Sequence, residues 1–98
     1  MIEKKPSAKG KSVRVTFSIP EEAVRESAVV AGDFNDWSEQ QHPMKYSRKN
    51  KTWSCSVTLK SGSSYRFRYL VDGEWRNEST ADAYEANPYM GEDCVVHL

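Results

Sequence analysis

Two tryptophans stand where an indole is hard to bury. Trp37 follows Asn35-Asp36 and precedes Ser38-Glu39, and Trp75 follows Asp72-Gly73-Glu74 and precedes Arg76-Asn77. Each large ring therefore sits in or beside a turn, among hydrogen-bonding neighbours. One exposed indole is tolerated on a surface, whereas two that converge beside polar groups point to a ligand. A sugar has the matching chemistry. The axial C–H face of glucose is apolar and packs flat on an indole, while its equatorial hydroxyls need Arg, Asp, Asn or Lys at the rim. Arg68, outward on its strand, is a candidate rim residue. The plainer alternative is that each turn tryptophan caps an open end of the fold, and the residue pattern by itself leaves both readings open.

Other chemistries find less support. Glycoside hydrolysis requires two carboxylates on opposite sides of a scissile bond. Asp33 and Asp36 share a loop, but nothing in their spacing sets them face to face. With Asp72 and Glu74 they read as turn formers and solvated charges, so no catalytic residue is assigned. A metal site would draw on His42, His97, Cys55 and Cys94, which are scattered and lack ligand spacing; neither a metal nor a cofactor is expected. The two cysteines lie in strand-like segments and read as small buried hydrophobes rather than a disulfide framework. Aromatic platforms beside the basic turn Arg48 to Lys51 would also suit single-stranded nucleic acid. Lys plus Arg and Asp plus Glu number 14 each, however, giving a net charge of zero. No overall field then draws the chain to nucleic acid or an anionic membrane. No apolar run is long enough for a secretory signal or a membrane span, and a cytoplasmic location is expected.

Positioning the rings falls to short strands. Val13, Val15, Phe17 and Ile19 alternate with Arg14, Thr16 and Ser18, the period of a half-buried strand. Further strands are expected over about 27–32, 43–47, 52–60, 65–71, 74–77 and 93–98, with turn-rich segments between them. In the fourth run Trp53, Cys55, Val57 and Leu59 face one way, which makes Trp53 a core residue. In the next, Tyr65, Phe67, Tyr69 and Val71 point inward, and Arg66, Arg68 and Leu70 outward. Asp72-Gly73 fits a tight hairpin turn, and Glu21 to Glu26 is long enough for one helical turn only. The stretch 78–92 reads as irregular. Residues 1–11, holding four lysines with Pro6 and Gly10, read as a disordered tail before a single folded domain over 12–98. The pattern is that of an all-β antiparallel sandwich of six to eight strands, immunoglobulin-like in class.

Three segments carry a family resemblance: Gly32-Asp33-Phe34-Asn35-Asp36-Trp37-Ser38, the run Tyr65 to Trp75, and Asn87-Pro88-Tyr89-Met90-Gly91-Glu92-Asp93. In this order and spacing they resemble the family-48 carbohydrate-binding modules. That group includes the glycogen-binding domain of the AMP-activated protein kinase β subunit and the early-set domains of isoamylases and branching enzymes. The resemblance runs from about Val13 to Leu98. It implies an early-set sandwich that binds α-1,4-linked glucans such as glycogen or starch without catalysis, in the service of an associated glycan-active enzyme or kinase. Trp37 and Trp75 match the two stacking tryptophans, and Arg68 falls where the kinase-type modules carry a sugar-contacting Lys. Met90 takes the place of an apolar residue against the glucan. Asp93 matches a position where Asn commonly bonds hydroxyls, and Asn35 is expected either to support the Trp37 loop or to reach the sugar. Arg for Lys replaces a point donor with a planar fork, and Asp for Asn removes amide donors. Immunoglobulin-like scaffolds also serve as protein-interaction modules, with exposed aromatics docking a partner, and fold alone does not choose between the two.

Overall fold

The computed structural model of the chain describes residues 1–88 and 91–98. Most of its strands follow from the alternating runs. The nine among the described residues are β1 (Ile2–Pro6), β2 (Ser12–Pro20), β3 (Ala28–Gly32), β4 (Lys45–Ser47), β5 (Thr52–Lys60), β6 (Ser64–Val71), β7 (Glu74–Arg76), β8 (Ala83–Ala86) and β9 (Glu92–His97). Single 3₁₀ turns occur at Glu21–Ala23 and Asp33–Asn35. One sheet has the order β1-β2-β5-β4; the other has β3-β6-β9-β8, with β7 also pairing β6. Every strand pairing is antiparallel. Among the described residues no helix is long and apolar enough to cross a membrane.

The apolar faces of the two sheets close on each other. Val13, Val15 and Phe17 of β2 and Val57 and Leu59 of β5 meet Val30 of β3, Phe67, Tyr69 and Val71 of β6, and Cys94 and Val96 of β9. Phe17 and Phe67 lie at the centre with ring centroids 4.9 Å apart. The long strands β5 and β6 therefore fall where the period of two put them. At the rim the alternation weakens as a guide. Trp53 and Cys55 face inward but are only half-buried, because β5 runs past the cover of the opposing sheet. Trp53 packs on Tyr46, its register partner, at 5.7 Å between ring centroids.

Two strands join the seven runs expected from the sequence, making one more than the expected maximum of eight. Residues 1–11, read from sequence as a disordered tail, contain β1, whose five residues pair with Val13 to Phe17 of β2. Ile2 stands opposite Phe17, and the turn between the strands closes through a bond from the Gly10 N–H to the Ser7 carbonyl at 3.0 Å. The lysines that suggest disorder decorate an edge strand, where charge discourages pairing with other chains. One of them, Lys4, bonds Asp82 at 2.5 Å and so ties β1 to the other sheet. The second addition, β8, lies in the stretch read as irregular and pairs β9.

That stretch also hides a buried carboxylate. Glu78 accepts bonds from the Tyr69 hydroxyl at 2.7 Å and the Thr80 N–H at 3.1 Å, and it meets the Met1 ammonium. Burial opposes its ionisation, but the ammonium, the Tyr69 hydroxyl and the Thr80 N–H outweigh that and hold its pKa below the usual value. Burial, then the bond to Glu78, pushes the Tyr69 phenol up.

Candidate functional site

The first indole is set by a loop folded around one amide. Gly32 ends β3 where a Cβ would lie 2.3 Å from the Arg66 carbonyl oxygen, so only glycine permits this approach to β6. The next residues form the 3₁₀ turn, after which Asp36 and Trp37 both take left-handed backbone conformations, φ 55 and 59. That geometry costs roughly 1–2 kcal/mol per non-glycine residue, and local bonds must offset it. Asn35, only 6% exposed, supplies them. Its Oδ1 accepts from the Gly32 and Ser38 N–H groups at 3.0 and 3.2 Å, and its Nδ2 bonds the Val30 carbonyl and His42 Nδ1 at 3.1 and 2.8 Å. All four positions of the amide are taken. Of the two roles expected for Asn35, the geometry supports holding the loop; no capacity is left for a ligand.

A carboxylate fixes the ring itself. Asp33 accepts from Trp37 Nε1 at 3.2 Å through one oxygen and from the Arg66 backbone N–H at 2.9 Å through the other. The loop is thereby tied to β6, and the indole stays half-buried.

The second indole is set by a hairpin. Asp72 and Gly73 have φ 51 and 84, the pair of positive values that a two-residue turn matching strand twist requires. The Asp72 carboxylate also caps the segment before β3, accepting backbone N–H bonds from Arg25, Glu26 and Ser27 at 2.8, 2.7 and 3.0 Å. These bonds hold its pKa below the usual carboxylate value. The short return strand β7 places Trp75 opposite Leu70, so the ring lies on the outer face of the five-stranded sheet, on the side to which Arg68 points. Trp75 is 41% exposed. Its ring centroid lies 6.4 Å from that of Trp37, with the planes inclined at 68°.

Between and beside the rings runs an open groove of about 620 Å³. Of the residues expected at a site, the structure brings Trp37, Trp75, Arg68 and Asp93 to its lining. Asn35 is buried and does not line it, and the Met90 assignment falls outside the described residues. Arg68 directs Nε to the Asn77 side chain at 2.7 Å, and that amide in turn bonds the Glu92 carbonyl at 3.0 Å. These bonds hold the guanidinium at the groove wall. Asp93 is only 7% exposed, receives the Asn87 amide at 3.1 Å, and lies 3.7 Å from Arg66 Nη1.

Five residues of the lining were not assigned to a site from the sequence: Asp33, Arg66, Asn87, Pro88 and Gly91. Arg66 carries the same outward alternation as Arg68, a signal that was present. Its second partner, Glu85 at 2.7 Å, comes from the strand that the sequence concealed. Asp33 and Asn87 lie within the motifs already quoted, but their bonds reach across strands and cannot be seen along the chain.

Residues 9–90 match the family model described as the glycogen recognition site of AMP-activated protein kinase. The matched span takes in both indoles, Arg68 and the strands that carry them. Since it covers most of the 98 residues, the chain belongs to this family of glycogen-recognition domains, whose business is holding the polysaccharide.

Proposed function

We propose that the groove binds α-1,4-linked glucan by stacking successive glucose units on Trp37 and Trp75. The observation that carries this reading is the pair of groove-lining indoles, 6.4 Å apart and inclined at 68°. A flat, ribbon-like β-glucan calls for coplanar platforms. An α-1,4 chain curves, and two inclined faces meet its neighbouring rings in turn. The fixed positions of both rings, one tied by Asp33 and the other set by the hairpin, lower the ordering cost of binding.

The polar contacts divide by exposure. The terminal nitrogens of Arg68 serve sugar hydroxyls while Nε stays with Asn77. Asp93 acts mainly by orienting Asn87 and Arg66 at the groove floor, and Met90 adds the apolar contact. If each stack contributes about 1–3 kcal/mol, as base–aromatic stacking does, one site gives roughly micromolar to millimolar affinity. Long polymers offer many rebinding positions. Attached to or assembled with a glycan-active enzyme or kinase, the module raises the local concentration of that partner on the glucan.

Intrinsic fluorescence tests this reading. Adding maltoheptaose or β-cyclodextrin shifts the tryptophan emission saturably, and a β-1,4 glucan oligomer does not. An unchanged spectrum together with no retention on glycogen would favour protein docking by the exposed aromatics instead.

A further inference from the structure

The face turned away from the groove is chemically unlike it. On the outer side of the four-stranded sheet, strand alternation sets Ser12, Arg14, Thr16 and Ser18 of β2 against Lys60, Thr58, Ser56 and Ser54 of β5. Short hydroxyls make this face flat, and those of Thr16 and Ser56 bond each other at 2.8 Å. Cations gather at one corner. Lys5 of β1 stands directly opposite Arg14, and Lys60 stands opposite Ser12, two residues along from Arg14. Lys9 and Lys11 lie exposed in the turn between β1 and β2.

Like charges directly opposite across a ladder are destabilising, so this arrangement works against the fold. Glu3 is the one acid on this part of the face, opposite Thr16, yet among the described residues none of these cations takes part in an ion pair. Acidic side chains are as numerous as basic ones, 14 of each, so composition does not force the excess. Protection of an exposed sheet edge accounts for lysines on β1. It accounts also for Lys60, where β5 has run beyond the cover of β4, but not for Arg14, which is flanked by Lys5 of β1 on one side and Thr58 of β5 on the other. A shallow depression of about 400 Å³ lies at the same place, lined by Glu3, Lys4, Lys5, Arg14 and Thr16.

We propose that this corner docks an acidic, extended segment of a partner protein while the opposite face holds glucan. Charge complementarity selects the partner: carboxylates on short side chains reach Lys5, Arg14 and Lys60 across a floor of hydroxyls. The corner has no aromatic ring on which a nucleobase would stack and no large apolar side chain to enter a bilayer. The surface is independent of the tryptophan groove and would make the module a bridge between polysaccharide and protein.

Fluorescence anisotropy of a labelled oligoglutamate peptide, titrated with the full chain at low ionic strength, tests the proposal. Saturable binding is expected, weakened by about tenfold or more at physiological salt through screening. The double variant Arg14→Glu/Lys60→Glu loses it and keeps glycogen retention, which is scored separately so that failure of either surface is recognised. If charge reversal disturbs folding, Arg14→Gln/Lys60→Gln is expected to bind the peptide several-fold more weakly. Three results would overturn the proposal: no saturable binding at low salt, undiminished binding by a folded double variant, or tighter binding to oligothymidylate or phosphatidylserine vesicles than to the peptide.

Discussion

Trp37 reaches the surface only because the residues beneath it take up the strain. Asn35 spends its whole amide on the loop, so Asn35→Ala leaves buried N–H and carbonyl groups unsatisfied and costs about 2–3 kcal/mol. Urea unfolding measures that loss, and glycogen retention falls with it as the indole leaves its position. An unchanged midpoint would mean that the loop holds itself. That each ring sits in or beside a turn could be read in the chain, since Asn, Asp, Gly and Glu flank both indoles. The state of Asp93 could not. Read along the chain it is a carboxylate at the start of a strand, and its partners Arg66 and Asn87 approach it only after β6 and β9 have paired.

Among the elements, the long strands were legible and the edges were not. Residues 52–60 and the run to Val71 alternate cleanly because each has one face on the core. β1 and β8 are edge strands with little to bury, so their sequences carry charge and alanine in place of a period. Rim burial shifts one energetic expectation. Trp53→Ala destabilises the domain by less than the roughly 3–5 kcal/mol of a sealed aromatic, because Trp53 is half-buried beside the exposed Tyr46. Denaturant titration checks the value, and a loss at or above that range would put the ring inside the core. The link between the β6–β7 hairpin and the segment before β3 adds a pH dependence. The folded-state pKa of Asp72 is depressed by three backbone N–H bonds. Its contribution is therefore present above the ordinary carboxylate pKa and lost as pH falls through the folded value. Glu78, also depressed, acts in the same direction. Melting temperature is expected to drop below the usual carboxylate range, and less steeply in Asp72→Asn; equal acid sensitivity would assign the loss elsewhere.

At the scale of the molecule, two sheets present two different outer faces. One carries the indoles, the arginines and the groove; the other is flat, hydroxylated and cationic at one corner. The sandwich class was legible because turn signals separate short alternating runs, and the family followed from motifs around both rings. The second face was not, since a cluster drawn from β1, β2 and β5 exists only in the paired sheet. Affinity electrophoresis most directly tests the proposed grip of the two inclined indoles on α-glucan. In gels containing glycogen or amylopectin the chain should be retarded, and in a β-glucan gel it should run freely. Trp75→Ala should lose at least about tenfold in affinity, on the order of 1.4 kcal/mol, with an unchanged unfolding midpoint. Undiminished retardation of a folded Trp75→Ala variant, or equal retardation by the β-glucan, would contradict the account.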